Sequence, residues 1–336
     1  MLRILLLLCV SLTTASVFAQ QSVFERFIQG TGGQITDTLD NGQVVTLDLS
    51  TDDVEQENDE VDSYYDDDLD AGWEGAPEDQ NLLTLGLRFT NINLLPNSTI
   101  DSAFVVFHAH EGKSAEDVAR LTIVGEATDN AVTFDEANFN ENMLLTDRPR
   151  TTTQVEWTVE EDWSIWQPYQ TSDIGSIIQE LVNRPGWETG NAIALIFLPE
   201  DQGPSTVENA REFTSFENIA DPDDVDPQGN PGDGTNHPER RPMLKVYVDG
   251  ALSTIELTPK MFSFYPNPVT NSQAQLTLEN NAPATVKVIN SEGRMMQQQN
   301  TSGTSLTFNF EGYSNGLYFI HIEQNGVTAV KKIIVE

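Results

Sequence analysis

The sequence predicts an all-β protein made of two antiparallel β-sandwiches of unequal size. Short apolar runs, some alternating with polar residues and some continuous, recur along most of the 336 residues. Only one segment has the apolar spacing of a helix. The charged residues also divide the chain sharply, because a strongly acidic part is followed by a neutral carboxyl-terminal part. Together these patterns favour short strands in two separate sandwiches.

The amino terminus predicts a cleaved secretory signal at residues 1–19. Arg3 precedes an apolar run, residues 4–10, that is too short to span a bilayer, and Ala19 is a small residue suited to signal peptidase. The single cysteine, Cys9, lies inside this run. The mature chain is therefore expected to contain no thiol and no disulfide, so its folding must depend on burial.

Charge marks the boundary between the two parts. The chain has 17 basic and 53 acidic residues, and residues 259–336 hold five of each. Residues 20–258 therefore hold 11 bases and 48 acids. Such an anionic surface disfavours nucleic acid and anionic membranes as partners and is compatible with divalent cations. The pattern predicts this division: signal peptide 1–19, lead-in 20–41, acidic β-sandwich module 42–249, linker 250–261 and terminal domain 262–336.

The first third of the acidic module has weak strand signals. The polar lead-in predicts one short element at residues 23–28, and residues 43–49 predict a first strand. Residues 51–80 contain acidic runs and few aliphatic residues, so they predict mostly loop or edge structure.

Regular strand signals begin at residue 85. Residues 102–109 are continuously apolar apart from their ends and predict a strand buried on both faces. The predicted strands are residues 85–89, 102–109, 121–126, 154–159, 192–198, 211–216 and 243–248. No transmembrane segment is expected, because no other apolar run approaches the required length.

One short surface helix interrupts the strands. Its apolar residues share one helical face: Ile174, Ile177, Ile178, Leu181 and Val182. Ser172 is the predicted cap, and Pro185 followed by Gly186 predicts the end after Arg184.

The acidic module resembles a known kind of scaffold. The segments that carry the resemblance are residues 87–92, 169–173, 177–187 and 215–217, together with Arg211. Residues 45–248 resemble a jelly-roll β-sandwich found in secreted bacterial proteins and related to carbohydrate-binding modules. The resemblance implies a jelly-roll-like antiparallel sandwich, and it leaves the ligand undefined.

The terminal domain carries ordered landmarks up to the last residue. It begins with the sequence Phe-Tyr-Pro-Asn-Pro-Val at 264–269, passes a hairpin turn at 291–294, and ends with Gly-Leu-Tyr-Phe-Ile at 316–320 and Lys-Lys-Ile-Ile-Val at 331–335. Residues 262–336 resemble the type A C-terminal sorting domain of the bacterial type IX secretion system, the Por secretion tail. The resemblance implies a small immunoglobulin-like (Ig-like) β-sandwich.

That resemblance also implies partners and a route. The type IX machinery and its sortase would recognise the domain after export to the periplasm, and the cargo would be secreted or anchored at the outer-membrane cell surface. The resemblance implies this sorting signal: Pro266, Asn267, Pro268, Gly293, Gly316, Leu317, Tyr318, Lys331 and Lys332.

Clustered aromatic residues are candidate ligand-binding groups of the cargo. Trp163, Trp166 and Tyr169 lie close together in a predicted loop, and flat aromatic faces can stack on sugar rings. The alternative, favoured by the residue pattern, is that these rings close the open end of the sandwich.

Calcium is the one cofactor that the sequence suggests. Residues 221–234 combine closely spaced aspartates with asparagine and glycine, which can offer several hard oxygen ligands on a turn. The candidate ligands are Asp223, Asp224, Asp226 and Asp233. The spacing does not match an EF-hand, and a disordered acidic loop is the alternative.

A second metal hypothesis concerns His108 and His110, which share a strand face, with Glu111 beside them. They could hold a transition metal, although paired histidines on a strand are more often ordinary surface residues. No phosphate-binding loop, nucleophile elbow or zinc-protease motif is present. Carboxylate pairs for glycoside hydrolysis carry no weight among 48 acids.

The sequence therefore predicts an exported, non-catalytic protein whose cargo binds a glycan, such as a polysaccharide, or a surface partner. The alternatives are a structural or adhesive surface protein that depends on calcium, and an uncharacterised hydrolase.

Overall fold

The fold was analysed in a computed structural model of the chain. It describes residues 21–39, 41–75, 81–200, 208–249, 262–270, 272–278, 283–290, 294–324 and 327–336. The predicted signal peptide at 1–19, the predicted linker at 250–261 and Gly293 lie outside the described residues.

The acidic part contains short strands and one α-helix. Its elements are β1 (Gln21–Phe27), β2 (Gln34–Thr38), β3 (Val44–Asp48), β4 (Asp53–Glu57), β5 (Glu60–Ser63), β6 (Asp68–Glu74), β7 (Asn81–Phe89), β8 (Thr99–His108), β9 (Ala119–Glu126), β10 (Arg150–Val159), β11 (Pro168–Gln170), α1 (Gly175–Val182), β12 (Ile193–Pro199), β13 (Arg211–Thr214) and β14 (Met243–Asp249).

Apart from β2 and β3, which pair with each other in a separate antiparallel hairpin, these strands form two facing sheets. One has the order β1-β14-β8-β11, and the other has the order β10-β9-β12-β7-β4-β5, with β6 pairing with both β7 and β13. Every pairing between these strands is antiparallel. The all-β prediction is confirmed.

Aromatic rings fill the centre between the two sheets. Phe107 of β8 lies parallel to Trp157 of β10 with ring centroids 5.9 Å apart, and it meets Phe197 of β12 edge to face at 5.6 Å. Phe213 of β13 is closer still to Phe107, at 4.2 Å. Burying such large rings, together with the aliphatic side chains around them, stabilises the sandwich. The strand β8 alternates between buried and partly exposed residues, which corrects the prediction of burial on both faces.

The amino-terminal lead-in contains a strand of the sandwich. The strand β1 pairs with β14 along its whole length, and Phe24 enters the main core. The short element predicted at residues 23–28 is this strand, which lies at the edge of its sheet.

The described part of the acidic segment, residues 51–75, contains the strands β4, β5 and β6, which corrects the prediction of mostly loop. Of these, β5 is an edge strand, as the charge pattern also allowed. Asp53 and Glu55 belong to β4, where both are buried. Each carboxylate accepts a backbone hydrogen bond, because Phe216 N donates to Asp53 Oδ2 and Asp70 N donates to Glu55 Oε2. Buried polar groups are tolerated when they are hydrogen-bonded in this way.

A buried ion pair ties this segment to the sheet. Both oxygens of Asp52 lie within 2.8 Å of Arg88 Nη1, and Thr133 Oγ1 donates to Oδ1 of the same carboxylate at 2.8 Å. Burial raises the pKa of Asp52, and the Arg88 charge and these hydrogen bonds oppose that rise. Removing one member of such a pair leaves an uncompensated buried charge.

The helix α1 packs its apolar face into the main core. Asp173 Oδ1 accepts the Gly175 N–H at 2.8 Å and also the Ala103 N–H of β8 at 2.8 Å. The carboxylate of Asp173, rather than the predicted Ser172, therefore satisfies the first turn and fastens it to a strand. Among the described residues, no helix has the length and apolar character needed to cross a membrane.

The terminal domain is a separate small sandwich. Its strands are β15 (Phe262–Tyr265), β16 (Gln273–Leu278), β17 (Ala284–Asn290), β18 (Met295–Thr301), β19 (Ser305–Asn309), β20 (Gly316–Gln324) and β21 (Val327–Val335). The sheets β15-β16-β19 and β18-β17-β20-β21 enclose a second core, which has its own set of buried residues.

Candidate functional site

A cluster of ionisable side chains gathers at one end of the large sandwich. Asp68 begins β6, His110 follows the end of β8, and Glu212 lies in β13. The pairing of β13 with β6 aligns Glu212 with Asp70, and His110 N donates to Glu212 O at 2.9 Å. Backbone pairing therefore brings three distant segments together. We call Asp68, His110 and Glu212 the His110 cluster.

The His110 cluster is compact. His110 Nδ1 lies 3.8 Å from Asp68 Oδ2 and 3.9 Å from Glu212 Oε2, and one ligand-type atom from each residue lies within 4.8 Å of the others. Asp67 Oδ2 faces the other ring nitrogen, Nε2, at 3.8 Å. Within the part of the chain that the structure describes, no other three histidine, cysteine, aspartate or glutamate side chains converge this closely.

Crowded negative charge dominates the electrostatics. Burial disfavours the charged form of His110, but the carboxylates of Glu212, Asp68 and Asp67 outweigh it and raise the pKa of His110 to about 9. Burial raises the pKa of Asp68 to about 6, although the His110 charge opposes the rise. The hydrogen bond with Glu212, together with burial, raises the pKa of Glu111 to about 7. Carboxylates outnumber the cations here.

The acidic surroundings extend along β6 and β4. Burial raises the pKa of Asp70 to about 10 and that of Glu55 to about 9, and neighbouring carboxylates add to both shifts. Asp70 Oδ1 has no hydrogen-bond partner. Lys113 is the nearby amine, and its Nζ lies 2.8 Å from Glu208 Oε1. At neutral pH Asp70 and Glu55 therefore keep their protons, and Lys113 is already paired.

The predicted aromatic group is mostly inside the molecule. Trp163 is 3% exposed and stacks on Tyr169 with ring centroids 4.5 Å apart, and Trp166 is 9% exposed with the guanidinium of Arg240 over its ring at 4.6 Å. Tyr169 lies in β11, which corrects its assignment to a loop. The occupied ring faces favour the alternative in which these residues close the end of the sandwich.

The predicted calcium ligands are spread along an ordered loop. Asp226 accepts hydrogen bonds from Gln228 N and from Asn230 N and Nδ2, within its own turn. Asp233 instead accepts from Thr235, and its Oδ1 lies 3.1 Å from His237 Nε2. Asp223 N donates to Asp221 Oδ1 at 2.8 Å, and Asp224 O accepts the N–H of Gly232, the residue before Asp233, at 3.0 Å. The calcium hypothesis stays a prediction.

The histidine hypothesis identified one member of the cluster. His108 is held apart from it, and burial lowers the pKa of His108. The partners of His110 are Asp68 and Glu212, which sequence reasoning missed because each is tens of residues away in the chain. Glu111, the expected neighbour, instead lies on the Glu212 side of the cluster, at the more exposed surface.

The landmarks of the terminal domain have structural roles. Asn267 Oδ1 accepts the Ile334 N–H at 2.9 Å, and Asn267 Nδ2 donates to Lys332 O at 3.2 Å. The segment that contains Pro266, Asn267 and Pro268 is thereby fastened to the last strand. Val269 also forms a parallel bridge with Val335.

The remaining sorting-signal residues lie on β20 and β21. Gly316 has φ 153° at the start of β20, where Leu317 follows it. Tyr318 is buried, and its hydroxyl donates to Ser314 O at 3.0 Å. Lys331 places its Nζ 5.4 Å from the centre of the Phe262 ring, and Lys332 precedes the buried Ile333. These residues join the two ends of the domain.

Comparison with known proteins identifies this domain. Residues 263–336 match the family model described as the secretion system C-terminal sorting domain. No curated protein matches the chain. Among solved structures, a β-glucuronidase from Ruminococcus gnavus has a TM-score of 0.19 at 11% identity, covering 94% of this chain and 44% of that one. The Faecalibacterium prausnitzii β-glucuronidase has a TM-score of 0.22 at 11% identity, covering 98% of this chain and 47% of that one.

The chain thus spans less than half the length of those two enzymes, and TM-scores this low carry no argument about its fold or activity. The family match is different, because it covers the whole terminal sandwich. The chain therefore carries the C-terminal sorting domain of the type IX secretion system, and it is a cargo that this system exports for secretion or attachment to the cell surface.

Proposed function

We propose that the acidic sandwich is a non-catalytic module that binds a neutral glycan at or beyond the cell surface. The observation that supports it is the set of partly exposed acceptors at one end of the sandwich. The side chains of Asp67, Asp68, Glu111 and Glu212 are between 21% and 57% exposed. Ionised carboxylates only accept hydrogen bonds, and sugar hydroxyls are abundant donors.

The charge of the module restricts the class of glycan. With 48 acids against 11 bases between residues 20 and 258, the module repels uronic acids and sulfated sugars. A neutral polysaccharide meets no such barrier, and its paired hydroxyls suit carboxylates that accept charge-assisted hydrogen bonds.

An exposed aromatic ring lies close to these acceptors in the sequence, in the segment that leads into β6. Tyr65 lies three residues before Asp68 and is 41% exposed, whereas Trp163 and Trp166 are buried. Its ring offers an apolar face beside polar groups, the combination that sugar-binding surfaces use. Tyr65 thereby takes the role that the sequence assigned to the tryptophans.

Glycan retention by the chain from residue 20 to 336 tests the proposal. On an array of neutral and acidic glycans, we expect retention of neutral members, with at least about tenfold weaker binding after Tyr65→Ala or Glu111→Gln. Tyr265→Ala is the matched control, because Tyr265 is 79% exposed in the sorting domain and should leave binding unchanged. A blank array, or equal retention by all four proteins, would reject a glycan ligand.

A calcium-dependent structural role is the second candidate function. It is favoured by the order of the loop at residues 220–239, where Ala220 and Thr235 pair and Gly232 N donates to Asp224 O at 3.0 Å. An acidic loop held in one conformation loses less entropy when it binds a cation. Calcium titration of the same chain should then raise its melting temperature, and Asp226→Asn should abolish that rise.

A further inference from the structure

The His110 cluster has the ligand chemistry of a metal site. We propose that Asp68, His110 and Glu212 bind one divalent transition metal ion, with zinc as the best fit. The three ligands are not residues of the predicted calcium loop, although Asp224 of that loop lies near enough for the His110 charge to oppose the rise of its pKa. The metal proposal does not depend on glycan binding.

The spacing of the cluster suits a shared ion. The distances from His110 Nδ1 to Asp68 Oδ2 and Glu212 Oε2, 3.8 and 3.9 Å, are too long for hydrogen bonds. Metal-ligand distances of about 2.0–2.2 Å place two ligands of one zinc ion up to roughly 4 Å apart. An ion between the three groups would therefore replace these two weak contacts with three metal–ligand bonds.

The ligand set favours a transition metal over calcium. Imidazole nitrogen binds zinc and its neighbours in the transition series, whereas calcium prefers six to eight oxygen ligands. The His110 cluster supplies one nitrogen and two carboxylates, which is the number of protein ligands that open zinc sites use. The partial exposure of all three side chains, between 20% and 27%, leaves room for water or another ligand.

The groups around His110 are arranged to orient it. If Nδ1 binds the ion, Nε2 carries the proton, and the carboxylate of Asp67 lies 3.8 Å from Nε2. A carboxylate on the second ring nitrogen is the usual support of a metal-bound histidine. This distance is longer than a hydrogen bond, so Asp67 would become a positioning residue, rather than a ligand, after a small movement toward Nε2.

Rigid elements hold the three ligands. Asp68 and Glu212 lie on the paired strands β6 and β13, and the backbone of His110 is hydrogen-bonded to that of Glu212 at 2.9 Å. The adjacent bridge between Ala109 and Phe213 extends the same pairing. Sites on strands lose less conformational freedom on binding than sites on loops.

Calorimetric titration of residues 20–336 with zinc chloride tests the site. The protein carries no histidine tag, and its only histidines are His108, His110, His237 and His321. We expect one zinc ion per chain and much weaker binding of calcium. Substituted cobalt should give a visible absorption band that reports the nitrogen ligand.

Single substitutions distinguish the three proposed ligands from Asp67, which would only orient His110. His110→Ala, Asp68→Asn and Glu212→Gln should each weaken zinc binding by at least about 100-fold, and Asp67→Asn by about tenfold. The last three are nearly isosteric, so they keep the test valid if His110→Ala fails to fold. Circular dichroism of the metal-free proteins checks folding.

His237→Ala is the matched control. His237 also has two carboxylate neighbours, but they face opposite ring nitrogens, with Asp233 at Nε2 and Glu239 at Nδ1. An ion bound to one ring nitrogen of His237 could therefore reach only one of these carboxylates. We expect His237→Ala to bind zinc as the unsubstituted protein does. Unaltered zinc binding in Glu212→Gln and Asp68→Asn would overturn the site. So would equal affinity for calcium and zinc, or loss of binding in His237→Ala alone.

Discussion

Asp53 and Glu217 are two buried carboxylic acids that connect β4 to the segment after β13. Glu217 Oε1 accepts the Ser50 N–H at 2.6 Å, and Asp53 Oδ2 accepts the Phe216 N–H at 2.7 Å. Burial raises the pKa of Asp53 to about 7 and that of Glu217 to about 9, and the charge of Asp53 adds to the rise at Glu217. Both acids therefore hold protons in the folded protein at pH values where the unfolded chain has lost them.

The sign of the resulting pH dependence follows from proton uptake. Between about pH 4 and pH 9 the folded state binds more protons than the unfolded state, so the free energy of unfolding falls as the pH rises. Glu217→Gln removes one titrating group and keeps an oxygen for the Ser50 N–H. We expect the variant to be more stable than the unsubstituted protein at pH 8.5 by about 1–2 kcal/mol, with a shallower pH slope.

Urea unfolding at several pH values measures this effect. Glu160→Gln is the matched control, because Glu160 is exposed at the end of the β10 segment. Its substitution should leave the pH dependence of the free energy of unfolding unchanged. If the free energy of unfolding depended on pH equally in the Glu217→Gln variant and in the unsubstituted protein, Glu217 would ionise in the folded state as it does in the unfolded chain.

Single residues also show why charge misled the sequence analysis. The run at Asp52 and Asp53 has the composition of a solvated loop, yet both side chains are buried, with Arg88 and backbone amides as partners. Those partners lie far away in the chain. Nothing local to the run distinguishes a paired buried aspartate from an exposed one, so its burial could not be predicted.

At the scale of elements, the contact between α1 and β9 depends on a glycine. A Cβ atom on Gly125 would lie 2.9 Å from Leu181 Cδ1 and 3.0 Å from Ile177 Cγ2, both on the buried face of α1. It would also lie 3.1 Å from Thr151 Cγ2. The absence of a side chain on β9 is therefore what lets the helix approach the sheet.

Gly125→Ala should destabilise the acidic sandwich by about 1–3 kcal/mol, because the helix must shift or its side chains must leave preferred rotamers. Thermal unfolding followed by tryptophan fluorescence measures the loss. Gly112→Ala is the control, since a Cβ there would meet only Trp163 O at an ordinary 3.5 Å. If both variants melted together with the unsubstituted protein, the close packing of α1 on β9 would be refuted.

Elements were predictable where their pattern is local. The apolar spacing of α1 and the apolar runs of β12 and β14 identify these elements from sequence alone, because each buries a face against the core. The His110 cluster was only partly predictable. His110 is visible as a candidate, whereas Asp68 and Glu212 become its neighbours only through the pairing of β6 with β13.

At the scale of the whole molecule, the apolar clusters of the acidic sandwich and of the sorting domain have no residue in common. The acidic sandwich has its own apolar core, and the sorting domain encloses another between its two sheets. Burial in one core does not require the other, so each sandwich has its own source of stability. The boundary between the two sandwiches also divides the charge, because residues 20–258 hold 48 acids and 11 bases, whereas residues 259–336 hold five of each.

Removal of residues 262–336 should therefore separate folding from export. We expect the truncated chain to keep the melting temperature of the acidic sandwich, because its core is intact. In cells with an active type IX system, the truncated chain should be absent from the medium and the cell surface and should accumulate in the periplasm. Cell fractionation, with protease treatment of whole cells, measures its location.

A point variant gives a matched control for this truncation. Asn267→Ala removes the two hydrogen bonds that fasten the start of the sorting domain to β21 and leaves the acidic sandwich untouched. Export should fall because the landmarks at the two ends of the domain are no longer held together, whereas Met295→Ala, at an exposed side chain of β18 outside the landmarks, should leave export unchanged. Normal surface display of the truncated chain would mean that export information lies in the acidic sandwich, and the division of labour between the two cores would be wrong.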